Sequence, residues 1–220
     1  MDSKNKPVDG LQDYLGHVSQ EHEVRSAKVQ AMRQQGINPW PSLKPANATA
    51  KNILETFPSN ESQELQLVGR VMAIRLHGKA AFVHIQDETG KLQLYIKEDA
   101  VGTQAFSQFE QFVDIGDILW VQGTVFKTQR GEISLRVAQW SMQSKCLHPL
   151  PEKFHGLTDV EVRYRQRYLD LICNADSKNL LIKRSLVVQA VREFLNQHNY
   201  LEVETPMLHP IPGGAAAKPF

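Results

Sequence analysis

The sequence has little cysteine and contains no long apolar run. Its 220 residues include two cysteines, Cys146 and Cys173, with no CxxC spacing and no clustered histidines beside them. Neither a disulfide framework nor a zinc site is therefore indicated, and a reducing compartment is favoured. No stretch approaches the roughly 18 apolar residues of a membrane span, and the N-terminus lacks the apolar region of a signal peptide. We therefore expect a cytoplasmic protein with no membrane partner.

An excess of charge of one sign is also missing. The 25 Lys and Arg residues balance 24 Asp and Glu residues, which gives a formal net charge of +1. Proteins that bind single strands regardless of sequence rely on a basic groove and many phosphate contacts. Any nucleic-acid binding by this chain must therefore depend on a local, shaped surface.

A helix is predicted between residues 11 and 35, where apolar residues recur at helical spacing and Gly36 can end the helix. Three basic residues lie in this segment: Arg25, Lys28 and Arg33. They could contact a phosphate backbone, but a charged helix face is more often solvated, and we expect solvation. Pro39 and Pro41 then indicate an irregular linker, because closely spaced prolines exclude a helix.

Between residues 65 and 145 the pattern changes to short alternating runs separated by turn signals, which is typical of strands. Three predicted strands are LQLVGRVMAIRL, AFVHIQD and KLQLYIK; two more, DILWVQGTVFKT and GEISLRVAQW, follow a helical segment with an apolar face. This order predicts an OB-fold, a partly open five-stranded barrel whose second and third strands bind oligonucleotides. An SH3-like barrel is the nearest competitor, but it has no long helix between the third and fourth strands.

Side chains alternate across a strand, so Val83 and Ile85 should face the core while Phe82 faces outward. On the next strand Tyr95 and Gln93 should share that outward face with Phe82. Unstacked bases need such a surface, because a base stacks on an aromatic ring and hydrogen-bonds through its edge, with stacking worth about 1–3 kcal/mol. Without the fold order, lone surface aromatics covered by the N-terminal helix would be the preferred interpretation. The OB-fold order favours binding.

On the last strand Glu132, Ser134 and Arg136 alternate with apolar residues. A carboxylate repels phosphate, so Glu132 on a nucleic-acid surface is useful only as a hydrogen-bond acceptor for a base edge. Otherwise Glu132 is a solvated turn residue, which is the commoner case.

The third region contains the basic and aromatic run RYRQRY, a helical pattern from about Asp176 to His198, and an alternating predicted strand from Tyr200 to Pro206. A domain rarely stops after its first helix and strand, so we expect a truncated domain, with dimerisation or disorder beyond about Ile172. No phosphate-binding glycine loop, nucleophile elbow or metal-ligand pair is present. The sequence thus indicates no catalytic and no metal-binding residue within this chain.

Three segments, FHGLTDVEVRYRQRYLDLI, YLEVETPML and PGGAAAKPF, resemble class II lysyl-tRNA synthetases of the bacterial type, and the likeness runs from about Val24 to Phe220. Aspartyl- and asparaginyl-tRNA synthetases share the OB domain, the RYLDL segment and a similar helix-strand-proline motif, and the GGAAAKPF ending separates them. A stand-alone OB-fold module for single-stranded nucleic acid is the competing function. A synthetase-like paralogue that lysylates an elongation factor is a third possibility, but that family lacks the anticodon domain.

The resemblance implies an α+β fold, in which an N-terminal helix precedes the five-stranded OB-fold barrel and a truncated, mixed α/β class II catalytic domain follows. The implied domains are an arm and linker (1–64), the anticodon-binding domain (65–147), an interdomain linker (148–172) and the start of the catalytic domain (173–220).

Site residues are carried over by motif. The residues matching anticodon-contacting positions are Arg75, Phe82, Gln93 and Glu132. Pro206 matches the motif 1 proline of the dimer interface, and Gly214 matches a glycine that lines the lysine pocket.

For the full-length protein the resemblance implies lysine–tRNA ligase activity: ATP and Mg²⁺ support activation of lysine, which is then transferred to tRNA(Lys). The implied partners are tRNA(Lys), lysine, ATP and a second copy of the chain through motif 1, with no role for DNA. The residues that hold ATP and magnesium are expected beyond Phe220. We therefore expect the 220-residue chain itself to bind no cofactor and to be inactive.

Overall fold

The computed structural model describes residues 20–151 and 157–207, which fall into two compact units divided between Leu150 and Pro151. The first unit contains α1 (Gln20–Gln34), α2 (Ala50–Thr56), β1 (Glu64–His77), β2 (Ala80–Gln86), β3 (Lys91–Lys97), α3 (Glu98–Val101), α4 (Thr103–Phe112), β4 (Ile118–Lys127) and β5 (Ile133–Ser144). The second contains α5 (Val160–Arg165), α6 (Arg167–Cys173) and α7 (Ala175–Gln197). None of the described helices is long and apolar enough to cross a membrane.

The five strands form a closed barrel in the order β1-β2-β3-β5-β4. The pairing of β3 with β5 is parallel, and all other neighbours are antiparallel. This order, with helices between β3 and β4, confirms the predicted OB-fold. The barrel is closed rather than partly open, because β5 pairs with both β3 and β4 while β1 pairs with β4.

The barrel interior has the composition that strand alternation predicts. Val83 and Ile85 are at most 1% exposed, and Leu94 is fully buried. The predicted helical segment is divided in two at Gly102, whose φ of +89° is unfavourable for residues with a side chain. Its second part, α4, adds three phenylalanines to the core: Phe106, Phe109 and Phe112.

The prediction of a solvated basic face on α1 is wrong for two of its three residues. Arg25 is only 8% exposed, and its Nη1 donates hydrogen bonds of 3.0 Å to the carbonyl oxygens of Ile115 and Cys146. Lys28 Nζ lies 2.6 Å from Asp114 Oδ1. Arg33 is exposed as predicted. Arg25 and Lys28 thus attach α1 to the loop that precedes β4 and to the residues that follow β5.

A buried charge cluster joins the loop before β4 to Lys145, which follows β5. Lys145 Nζ is fully buried and lies 2.5 Å from Asp114 Oδ2 and 2.7 Å from Asp117 Oδ2. Burial would raise the pKa of Asp114, but hydrogen bonds from Lys145 and Lys28 outweigh it and lower this pKa. For Asp117, burial prevails and its pKa is raised. The lysine therefore compensates two carboxyl groups that would be costly to bury alone.

Helix α2 lies within the segment predicted as linker and was not predicted. Its N-terminus is capped by Thr49, whose Oγ1 accepts a hydrogen bond from Asn52 N at 3.2 Å. Ala50 N donates to Asp87 Oδ2 in the β2–β3 turn at 2.6 Å, and Ala50 and Ile53 are buried in the barrel core. The residues between Ile37 and Thr49 form no helix or strand, as the prolines predicted.

In the second unit a buried carboxylate ties α5, α6 and α7 together. Asp170 is fully buried and accepts hydrogen bonds from four side chains: Arg163, Arg167, Asn174 and Ser177. Burial would raise the pKa of Asp170, but these hydrogen bonds lower it to about 2. Two arginines of the RYRQRY run therefore have a structural role in the described residues.

Helix α7 forms over Ala175–Gln197, close to its predicted bounds. Its apolar stripe is uncovered, with Val187 64% and Phe194 58% exposed. The predicted strand at Tyr200–Pro206 is absent from the described residues, where 200–207 have no regular structure. A strand needs a neighbour for its backbone hydrogen bonds, and every strand in the described ranges belongs to the barrel.

Candidate nucleic-acid interface

Two rows of outward-facing residues cross the barrel strands. The first row follows the strand register through Arg75, Phe82, Tyr95, Arg136 and Thr124. The second row lies two residues along each strand. It runs through Ala73, His84, Gln93, Ser134 and Phe126. We name these the outer rows, and they carry the polar and aromatic residues of the barrel face opposite the core.

An aromatic pair occupies the centre of the first outer row. The rings of Phe82 and Tyr95 have centroids 5.0 Å apart at an interplanar angle of 36°. The ring of His77 approaches Phe82 edge-on at 6.1 Å. Both members of the pair keep part of their surface exposed. Helix α1 packs on α4 and on the loop before β4. These contacts give no support to the alternative that the N-terminal helix covers Phe82 and Tyr95.

Gln93 lies between its register partners His84 and Ser134 in the second outer row, and it is only 7% exposed. Its Nε2 donates a hydrogen bond of 2.9 Å to Ser134 Oγ. This bond holds the carboxamide, and no described residue donates a hydrogen bond to its oxygen. Acceptors of this kind suit the N3–H donor on the edge of an unpaired uridine.

Glu132 is held beside the second outer row by the tight β4–β5 turn. Its backbone N–H donates to Thr128 Oγ1 at 3.0 Å, and Gly131 supplies the positive φ of 89° that this turn needs. Glu132 Oε1 lies 3.3 Å from His84 Nε2, and its side chain is 51% exposed. The turn thus presents a partly solvated carboxylate beside His84 of the second outer row.

Two arginines flank the aromatic pair in the first outer row. Arg75 is opposite Phe82 on β1, and Arg136 is opposite Tyr95 on β5. Both are exposed, and neither guanidinium group forms a hydrogen bond or an ion pair with another described residue. Guanidinium groups in this setting are available to phosphate oxygens or base edges.

The four residues assigned to the anticodon by resemblance, Arg75, Phe82, Gln93 and Glu132, all lie on or beside the outer rows. Pro206 is exposed in the second unit, and Gly214 lies outside the described residues. Sequence reasoning did not select Phe126, although alternation along β4 places it on the outward side. Within 20–151 and 157–207, no three His, Cys, Asp or Glu residues converge on a position that could hold a metal ion.

Comparison with protein-family models gives two separate matches. A model described as an OB-fold nucleic acid binding domain matches residues 65–142. A model described as tRNA synthetases class II (D, K and N) matches residues 159–220. The first match covers the barrel with its outer rows, and the second covers the helices of the second unit.

Relatives named lysine–tRNA ligase align with most of the chain. The protein of Carboxydothermus hydrogenoformans is 50% identical over 198 residues, which are 90% of this chain and 40% of that protein. That of Moorella thermoacetica is 50% identical over 197 residues, with the same coverage. That of Halalkalibacterium halodurans is 44% identical over 218 residues, or 96% of this chain and 42% of the relative. The chain thus spans about two-fifths of these relatives, and the predicted resemblance to lysyl-tRNA synthetases is confirmed.

Proposed function

We propose that this chain, which joins an OB-fold domain to part of a class II tRNA synthetase domain, is the anticodon-reading portion of a lysine–tRNA ligase. The observation that carries the proposal is the convergence of Arg75, Phe82, Gln93 and Glu132 on or beside the outer rows. Strand alternation selects Phe82 and Gln93 without reference to any relative. Register then brings Arg75 opposite Phe82, and the β4–β5 turn brings Glu132 next to His84.

The outer rows supply the chemistry that recognition of unpaired bases requires. Phe82, supported by Tyr95, offers a ring on which one base of the triplet stacks. Gln93 and Glu132 offer acceptors for the N3–H groups of a uridine-rich triplet. Arg75 binds phosphate or a base edge at the margin of the pair. Specificity therefore comes from base edges, in keeping with the near-zero net charge of the chain.

For the whole protein we propose ATP-dependent activation of lysine and its transfer to tRNA(Lys) in the cytoplasm. The exposed apolar stripe of α7, together with Pro206, would pack against a second copy in a homodimer. ATP, with Mg²⁺, would supply in that protein the adenylyl group that activates the lysine carboxylate, and pyrophosphate would be the leaving group. The described residues contain no acidic cluster that fits Mg²⁺. The part assigned to this chain is binding of the anticodon.

The proposal is tested by titrating the 220-residue chain with the anticodon stem-loop of lysine tRNA, a stem-loop of unrelated anticodon, and a single-stranded homopolymer. Preference for the lysine stem-loop supports the proposal. Equal affinity for all three RNAs supports the stand-alone OB-fold module. In parallel, lysine-dependent ATP–pyrophosphate exchange should be absent, and measurable exchange would contradict the assigned division of labour.

A further inference from the structure

Phe126 and Arg136 extend the outer rows beyond the four residues that the family resemblance selects. The guanidinium carbon of Arg136 lies 4.8 Å from the centroid of the Phe126 ring. The Phe126 ring centroid is in turn 6.1 Å from that of Tyr95. We name the stacked Arg136 and Phe126 side chains the outer shelf. It continues the aromatic series Phe82–Tyr95 onto β4 and β5.

The outer shelf has the properties of a binding surface. Arg136 is exposed, and no described residue accepts a hydrogen bond from its guanidinium group. The guanidinium carbon lies over the Phe126 ring, and its N–H groups stay available. Bases in single-stranded RNA stack on guanidinium planes as well as on aromatic rings, and phosphate accepts charge-assisted hydrogen bonds from arginine.

We propose that the outer shelf binds one unpaired RNA nucleotide next to the triplet, with its base on the Arg136–Phe126 stack and its phosphate accepting hydrogen bonds from Arg136. The inference rests on the proposed function of the same face. The shelf begins one ring beyond Tyr95, so a nucleotide covalently linked to a triplet held on Phe82 is the ligand within its reach. This subsite adds affinity from outside the triplet.

The test uses two variants of the shelf, Phe126→Leu and Arg136→Gln. Each is titrated with the intact lysine-tRNA stem-loop and with two stem-loops that lack the base immediately before or after the triplet. We expect Phe126→Leu to weaken binding of the intact loop about tenfold, or about 1.4 kcal/mol. With the abasic loop that leaves the shelf empty, this variant should cause no further loss. Arg136→Gln should reduce the salt slope, which is the slope of log affinity against log salt concentration, by about one.

Lys51→Gln is the matched charge control, because Lys51 is 63% exposed on α2 and lies outside the outer rows. It should leave the salt slope unchanged, and melting temperatures verify that every variant is folded. An unchanged affinity of Phe126→Leu for the intact loop, or the same loss with all three loops, would overturn the shelf assignment. If the unsubstituted chain shows no preference for the lysine stem-loop, the proposed function fails as well. If that preference persists, only the shelf assignment fails.

Discussion

His84 Nε2 lies 3.3 Å from Glu132 Oε1, which joins the middle of β2 to the β4–β5 turn across the second outer row. His84 therefore helps to orient the one carboxylate assigned to a base edge. Replacing Glu132 with Gln keeps the shape of the side chain but removes its charge and replaces one acceptor oxygen by a donor. We expect Glu132→Gln to reduce discrimination between anticodon variants while the salt slope stays the same, since base contacts specify and phosphate contacts set the slope.

The measurement for Glu132 is a set of titrations with stem-loops that differ at single triplet positions, each at several salt concentrations. Gln93 should behave in the same way when it is replaced by Leu. An equal loss of affinity for every anticodon would remove the assignment of these residues to base recognition.

Phe82→Ala should weaken binding of the lysine-tRNA stem-loop by about 1–3 kcal/mol, because it removes the ring on which a base stacks. Its melting temperature should change little, since the ring is partly exposed on the outside of the barrel. Leu43→Ala is a matched control, because Leu43 is 77% exposed in the linker. A sharp fall in melting temperature with affinity preserved would instead make Phe82 a packing residue.

Lys28→Met tests the attachment of α1 through Asp114. The pKa of Asp114 is below its ordinary value of 3.8, because hydrogen bonds from Lys145 and Lys28 outweigh the effect of burial. A carboxyl with a lowered pKa stabilises the fold above pH 3.8, and this contribution is lost as the pH falls through the lowered value. The variant should be about 1 kcal/mol less stable at neutral pH, since both partners are partly exposed.

The pH dependence distinguishes this interaction from simple loss of packing. Denaturant unfolding should show that the difference in unfolding free energy between the unsubstituted chain and Lys28→Met narrows below pH 4, as Asp114 becomes protonated. Lys51→Met removes an exposed ion pair with Glu55. Its free energy of unfolding should stay within about 0.5 kcal/mol of that of the unsubstituted chain at every pH. A difference in unfolding free energy that stays constant down to pH 2 would assign the loss of stability to packing of the aliphatic part of Lys28.

Gly123→Ala should disrupt the register that forms the outer rows. A Cβ at Gly123 would lie 2.0 Å from the carbonyl oxygen of Arg136, at the irregularity between β4 and β5. We expect a loss of at least about 2 kcal/mol in stability, because backbone must move. Gly90→Ala is the matched control, since its Cβ would meet its nearest neighbour, Ala50, at 3.8 Å. Equal melting temperatures for the two variants would contradict this account of the register.

Local patterns predicted the barrel well because strand alternation is a short-range property. Val83 and Phe82 are adjacent, and their opposite environments follow from the period of the strand. Seven residues with one buried apolar stripe are too few for a clear helical period, so α2 was missed. The role of Arg25 could not be predicted, because its acceptors Ile115 and Cys146 are 90 and 121 residues away in the chain.

The candidate site shows the same division. Strand alternation selected Phe82 and Gln93, and the order of strands and helices indicated that their outward face binds nucleic acid. The neighbours of Phe126 depend on the register of β4 against β5, which shifts between Gln122 and Gly123. Gly123 within the β4 sequence is compatible with such a shift but does not define its register, so the contact of Arg136 with Phe126 became apparent only in the structure.

Photo-crosslinking tests most directly whether the outer rows hold the triplet. The lysine-tRNA stem-loop carries 4-thiouridine at one triplet position at a time, is irradiated in complex with the chain, and the joined peptides are identified by mass spectrometry. We predict crosslinks to the segments around Phe82, Gln93 and Glu132, and their loss when unlabelled lysine stem-loop competes. Crosslinks confined to α7 or to α1, with the outer rows unlabelled, would contradict the account.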